Sequence, residues 1–255
     1  MARNYWSENR YPLSTAFLEK NVKIRSELIA RAILLHCKKP NASVVDLGGG
    51  CARQALCLAE AGMSVTVVDS DKQMTDQARK NRDSSLPHTI HKLRILDAPI
   101  ETGWTLLKDE QFDVVCCHSV IPYFSDETRL FESLLKYTSG PTLLSLVSVN
   151  PDALAMRSAL SGRWDEALDL LTNNGRSNQA DMKYNFVGES ETKAFFGDKG
   201  FHTVGSYGVG IFSDHLTGEE VEDLHPKAID VEWFGGTTDP YRTLARCYHL
   251  LMERS

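Results

Sequence analysis

The chain has 255 residues, with 34 acidic against 28 basic side chains and a formal net charge of −6 at pH 7. Its length suits one large α/β domain or a core domain with a substantial insertion, and 42% hydrophobic with 24% charged content is ordinary for a globular protein. No apolar run approaches the roughly 20 residues of a membrane span, and the acidic balance argues against a broad nucleic-acid face while leaving room for a local basic patch.

Residues 1–10 lack an apolar stretch, so no secretory signal is expected and a cytoplasmic location is the reading. Phe17 to His36 carries Leu18, Val22, Ile24, Leu28, Ile29, Ala32 and Leu35 at near-helical spacing, which predicts a helical cap before the sheet. Pro40-Asn41 ends it. Ser43 to Leu47 reads as a short buried strand that runs straight into Gly48-Gly49-Gly50, and Ala52 to Ala61 as a helix closed by Gly62. Val65 to Val68 is a second strand ending at Asp69, with Ser70 or Asp71 to cap a helix reaching Arg82. Lys92 to Leu96 is a third strand, followed by Asp97-Ala98-Pro99. Phe112 to Cys117 is a fourth, leading to His118. A helix over Asp126 to Tyr137 and a fifth strand over Thr142 to Val149 complete the alternation.

The pattern then changes. Asp152 to Leu171 reads as helix and the following residues as loop, a long excursion of the kind that often serves as a lid. Ser190 to Gly200 resumes as helix, Phe201 to Phe212 as strand, Ser213 to Phe234 as an acidic helix and Leu244 to Met252 as a last strand. Alternating strands and helices predict a Rossmann-like, doubly wound α/β fold: a mostly parallel seven-stranded sheet with a helical lid inserted after strand 5. We divide the one domain into an N-terminal cap (1–40), a core (41–150), a lid (151–188) and a C-terminal part of the sheet (189–255). The six cysteines, Cys37, Cys51, Cys57, Cys116, Cys117 and Cys247, have neither C-x-x-C nor zinc-type spacing. Free, mostly buried thiols and no metal site are expected.

Three strand ends carry the chemistry. Gly48-Gly49-Gly50 before a helix allows a ligand to approach the backbone closely at the helix N-terminus. A nicotinamide fingerprint would need a third glycine where Arg53 stands, which weakens that reading. Asp69, about twenty residues on, is positioned to meet paired ribose hydroxyls. His118 leaves the fourth strand on the edge where such folds bind ligands. As a lone histidine after an apolar run it could equally be a satisfied structural residue.

The strand ending Asp46-Leu47-Gly48-Gly49-Gly50 resembles the first motif of class I S-adenosylmethionine-dependent methyltransferases. That resemblance implies cofactor contacts from Asp46, Gly48, Gly49, Gly50, Asp69, Ser70, Asp97, Ala98 and His118, with the adenine near Asp97-Ala98. A closer resemblance is to the tRNA 5-carboxymethoxyuridine methyltransferase family, carried by the glycine loop, Phe112 to Val120, Leu143 to Asn150 with Gly162-Arg163-Trp164-Asp165, and Gly208 to Leu216 leading to Asp239-Pro240-Tyr241-Arg242-Thr243-Leu244-Ala245-Arg246-Cys247-Tyr248-His249. It implies methylation of a carboxylate on a modified wobble uridine, and it aligns Arg25 with a cofactor-contacting arginine. Two departures are the lack of an acid after the glycines and a lysine-poor lid.

A carboxylate is already ionised at neutral pH, so its methylation calls for alignment and desolvation rather than a base. His118 is therefore assigned an orienting role, and Arg157, Arg163, Tyr241, Arg242 and Arg246 are candidate acceptor contacts, since arginine forks bind carboxylate and phosphate. The acceptor is tRNA or a small O- or N-nucleophile. A non-catalytic cofactor-binding module stays as a third reading. Oligomeric state is not legible.

Overall fold

The computed structural model describes residues 15–173, 186–213 and 227–254, with side chains from residue 24 onward. Helix α1 (Thr15–His36) precedes strand β1 (Ser43–Leu47), whose Val44, Val45 and Leu47 are fully enclosed. A β-branched strand without alternation belongs to a sheet covered on both faces, and the following elements supply that cover. They are α2 (Arg53–Glu60), β2 (Ser64–Asp69), α3 (Lys72–Asp83), α4 (Pro87–Ile90), β3 (Leu93–Asp97), α5 (Ile100–Gly103), β4 (Val114–His118), α6 (Glu127–Leu135) and β5 (Leu143–Val149).

The sheet has seven strands in the order β3-β2-β1-β4-β5-β7-β6, where β6 is Phe201–Val209 and β7 is Cys247–Arg254. Strands β1 to β5 pair in parallel, while β7 runs antiparallel to both β5 and β6. This is the predicted fold class. One face packs Ile24, Leu28, Ile29 and Ile33 of α1 and Ala55, Leu58 and Ala59 of α2 against Val44, Val67, Cys116, Val147 and Leu251. The other packs Leu130, Phe131 and Leu134 of α6 and Phe196 against Val45, Val115, Leu144, Leu146 and Leu250. Phe196 belongs to α9 (Glu189–Gly197).

Several elements differ from the periodicity. The helix expected over Asp152 to Leu171 is two: α7 (Leu154–Leu160) and α8 (Trp164–Thr172), broken where Gly162 turns left-handed at φ 74°. β6 ends at Val209 because Gly210, also left-handed, takes the chain off the sheet. The stretch expected as an acidic helix holds α10 (Ala228–Gly236); 214–226 of that expectation, and 174–185 of the lid, lie outside the described residues. Residues Arg242–Leu244 form a 3₁₀ turn, so β7 starts later than expected. Helices α4 and α5 were too short to carry a periodic signal.

All six cysteines are free, and three of them are buried. Among the described residues no group of three or more His, Cys, Asp or Glu could hold a metal, and no helix is long and apolar enough to cross a membrane.

Candidate functional site

Strand order reverses between β1 and β4, which opens a crevice beyond their carboxyl ends. The residues after β1 fill its rim. Gly48, Gly50 and Ala52 are left-handed at φ 71°, 55° and 64°, so the chain coils tightly into α2. Gly48 N donates to Val68 O at 2.8 Å, and Ala52 N to Gly49 O at 2.9 Å. A Cβ on Gly49 would fall 2.6 Å from Asp46 Oδ2. Only a glycine lets the loop cross that carboxylate.

Asp46 itself is 1% exposed, and its Oδ2 has no hydrogen-bond partner. Burial, then the nearby Asp69 charge, pushes its carboxyl up to about 7. A buried acid left half unsatisfied beneath a glycine loop is a site prepared for a cation or a donor. Asp69, at the end of β2, accepts from Gly50 N at 2.9 Å and from Asp71 N at 2.8 Å, and so ties the glycine loop to the start of α3. Asp71 is the cap of that helix, accepting from Gln73 N and Met74 N, while Ser70 is exposed beside it.

Asp97 is differently engaged. Its carboxylate accepts from Arg79 Nη2 at 2.9 Å and lies 3.7 Å from Lys72 Nζ. The Thr75 hydrogen bond, then the Arg79 and Lys72 charges, hold it below the usual carboxylate range. Ala98 is buried, and its N donates to Asp69 O at 3.0 Å, which joins the ends of β2 and β3.

Across the crevice, His118 ends β4 and Ser119 follows at φ 60°, a conformation uncommon for a residue with a side chain. Ser119 N donates to Val147 O at 2.7 Å, and its Oγ accepts from Arg25 Nη2 of α1. Arg25, Asp46, the glycines, Asp69 and His118 therefore share one edge of the sheet. Sequence reasoning missed Ser119, Ser145 and His249 as parts of this edge. His118 Nε2 lies 2.9 Å from Ser145 Oγ, which lies 2.8 Å from His249 Nε2. The signal was present in two serines, Ser145 and Ser148, inside an otherwise apolar strand. Burial lowers both imidazoles, His249 to about 3 and His118 well below its ordinary value, with the Arg25 charge adding to each.

The five candidate acceptor contacts come from the α7–α8 region and from the segment before β7. Arg163 pairs with Glu166 at 2.5 Å, one helical turn away. Arg242 holds Glu189 at 3.1 Å, Ser206 at 2.8 Å and Asp239 at 3.0 Å, joining β6, α9 and the cis Asp239-Pro240 bend. Arg246 contributes its backbone to the β5–β7 region through Gly210 O and Asn150 N, and Arg157 lies on α7. Tyr241 is half-exposed, its ring 5.7 Å from Phe212.

Residues 45–139, which hold the glycine loop, Asp69 and His118, match the family model described as a methyltransferase domain. Within those residues the chain carries a methyltransferase domain. A curated relative, tRNA 5-carboxymethoxyuridine methyltransferase of Escherichia coli (strain K12), is 22% identical over 213 residues, 83% of this chain and 79% of its own. Magnesium protoporphyrin IX methyltransferase from Synechocystis PCC 6803, solved with bound SAH, superposes with a TM-score of 0.61 at 13% identity, covering 99% of this chain and 92% of that one. The plantazolicin methyltransferase BpumL in complex with SAH gives 0.56 at 17% identity, covering 99% and 88%. The fold shared with those structures extends past residues 45–139 into α7, α8, β6 and β7.

Proposed function

We propose that this domain transfers a methyl group from S-adenosylmethionine to the carboxylate of a modified wobble uridine in tRNA. The observation that carries the cofactor is the cradle at β1: left-handed Gly48 and Gly50, a Gly49 that admits no Cβ, and the unpartnered Oδ2 of Asp46 beneath them. These residues fit a ligand with a cationic aminoacyl end and a ribose. Gly48, Gly49 and Gly50 would bound it, Asp46 would meet its ammonium, and Asp69 has acceptor capacity left for ribose hydroxyls beside the two backbone donors it holds. The bound cofactor supplies an electrophilic methyl on sulfur. The chain's own part is to exclude water and align the acceptor.

The tRNA acceptor is supported by the 213-residue similarity to the Escherichia coli tRNA enzyme and by the Asp239 to His249 ending. With both buried imidazoles neutral, an acceptor that arrives ionised also suits the site. Arg157, Arg163, Tyr241, Arg242 and Arg246 are the side chains proposed to meet the acceptor and its phosphates.

A small-molecule acceptor is favoured by one further observation. Met156, Leu160, Trp164, Leu168 and Leu171 on α7 and α8 are exposed, which gives the lid an apolar face where an RNA-binding one would be basic. Labelled S-adenosylmethionine, offered with tRNA from a strain lacking the gene and separately with a metabolite extract, decides between them. Label in a wobble-uridine ester supports the tRNA reading, and label only in small molecules overturns it.

A further inference from the structure

Arg25 stands on α1 above the ends of β4 and β7, half-buried, with its Nη2 donating to Ser119 Oγ. Burial, and then nearby charges that include its own, lower His118 and His249, so the rings beside it are neutral. Among the described residues no carboxylate forms an ion pair with it. A guanidinium carries five N–H donors, and drawing it part-way out of water costs free energy unless an anion meets it. Its height over the sheet is fixed from its own helix. Ser26, the next residue, is buried, and its carbonyl accepts from Gln54 Nε2 of α2 at 3.2 Å.

Ser119 is the second anchor. It is left-handed at φ 60°, where a Cβ crowds the backbone and glycine would sit at ease. The turn is held on both sides. Ser119 N donates to Val147 O at 2.7 Å, and Val120 packs so closely on the glycine loop that a Cβ on Gly48 would lie 2.5 Å from Val120 Cγ2. Neither contact uses the side chain of Ser119, so glycine would serve both. What glycine lacks is the hydroxyl that accepts from Arg25.

The crevice thus has the buried Asp46 under the glycine loop on the β1 side and a guanidinium without a carboxylate on the β4 side. An amino-acid end, with ammonium and carboxylate on one carbon, is complementary to both.

We propose that Ser119 is a positioning residue whose hydroxyl holds the Arg25 guanidinium over the crevice, to pair with the carboxylate at the amino-acid end of the cofactor. The target rests on the proposed S-adenosylmethionine site, whereas the Ser119–Arg25 contact does not. Ser119 acts through Arg25 and touches no reacting atom.

The test is calorimetry of the full chain with two probes: S-adenosylhomocysteine, which carries the carboxylate, and 5′-methylthioadenosine, which keeps the nucleoside but lacks the amino-acid end. Ser119→Gly should weaken S-adenosylhomocysteine about tenfold and leave methylthioadenosine unchanged. Arg25→Gln should show the same selective loss, and adding Ser119→Gly to it should cost nothing further. Ser119→Asn, which tolerates the left-handed backbone and carries a side-chain oxygen, should recover part of the affinity. Unchanged S-adenosylhomocysteine affinity in Ser119→Gly overturns the proposal. So does an equal loss for both probes, which marks a general disturbance of the turn, or a further loss in the Arg25→Gln background. Urea unfolding of the same set reads the contact without ligand: the two single changes should be less than additive, and additive midpoints overturn it. If the unaltered protein binds neither probe, the proposed cofactor and the carboxylate target both fall, and the urea cycle still decides the contact.

Discussion

The buried carboxyl of Asp46 makes the stability of this fold depend on pH in a direction opposite to most acids. Its pKa is about 7 in the folded chain, against 3.8 for an unperturbed aspartate. Between those values the folded protein holds a proton that the unfolded chain has released, so stability falls as pH rises. This contribution is fully present below pH ~4 and lost as pH passes through about 7. At about 1.36 kcal/mol per pH unit, the loss between pH 5 and pH 8 comes to about 2–3 kcal/mol. Asp46→Asn removes the titration. The difference in unfolding free energy between the variant and the unaltered protein should therefore shift by that amount in the variant's favour from pH 5 to pH 8, then level off. Urea unfolding at four pH values measures it, and the slope is independent of any constant cost of placing an amide under the glycine loop. A difference that stays flat across pH 5–8 would refute the assignment of a protonated buried acid. The same carboxyl predicts that a cationic ligand releases close to one proton on binding at pH 6 and almost none at pH 9, readable by calorimetry in buffers of different ionisation heat.

Other consequences follow from single contacts. Asp69→Ala should weaken S-adenosylmethionine binding by about 1–3 kcal/mol, because it unpairs Gly50 N and Asp71 N as well as any ribose hydroxyls; unchanged affinity in calorimetry would show that the loop does not depend on it. His118→Ala should lower turnover modestly, with a pH–rate profile that keeps its shape around neutral pH, since burial holds the imidazole well below its ordinary range. A loss beyond about ten-thousandfold would identify a proton-transfer role instead. Glu232 is buried and accepts from the backbone N–H groups of Ile211, Phe212 and Ser213. Glu232→Ala should therefore cost at least about 3 kcal/mol in urea unfolding, several donors being stranded together.

The strands of the core were legible because each announces itself locally. Ser43–Leu47 is β-branched and ends at three glycines, and Leu143–Val149 follows a Gly-Pro turn. The acid at the end of β2 and the histidine at the end of β4 were legible for the same reason, since a strand's end marks the edge where ligands bind. The lid was less so: apolar spacing carries through Gly162, and nothing local says that this glycine turns left-handed and breaks the helix. Asp97 was read as a ligand contact; that Arg79 and Lys72 also engage its carboxylate was not legible, because the face of their helix could not be oriented from sequence. Arg242 was read as an acceptor contact, and its partners Glu189 and Ser206 lie 53 and 36 residues away.

By itself, then, the sequence determined the fold class and the glycine cradle with its two acids, because those rest on residue types within one or two adjacent elements. Tertiary structure alone decided which charges are already paired, that Asp46 is enclosed and half unsatisfied, and that Ser145 bridges two histidines 131 residues apart in the chain. Protonation and tautomer depend on what surrounds a group in space, and on this sheet those neighbours come from strands that the chain order does not make adjacent.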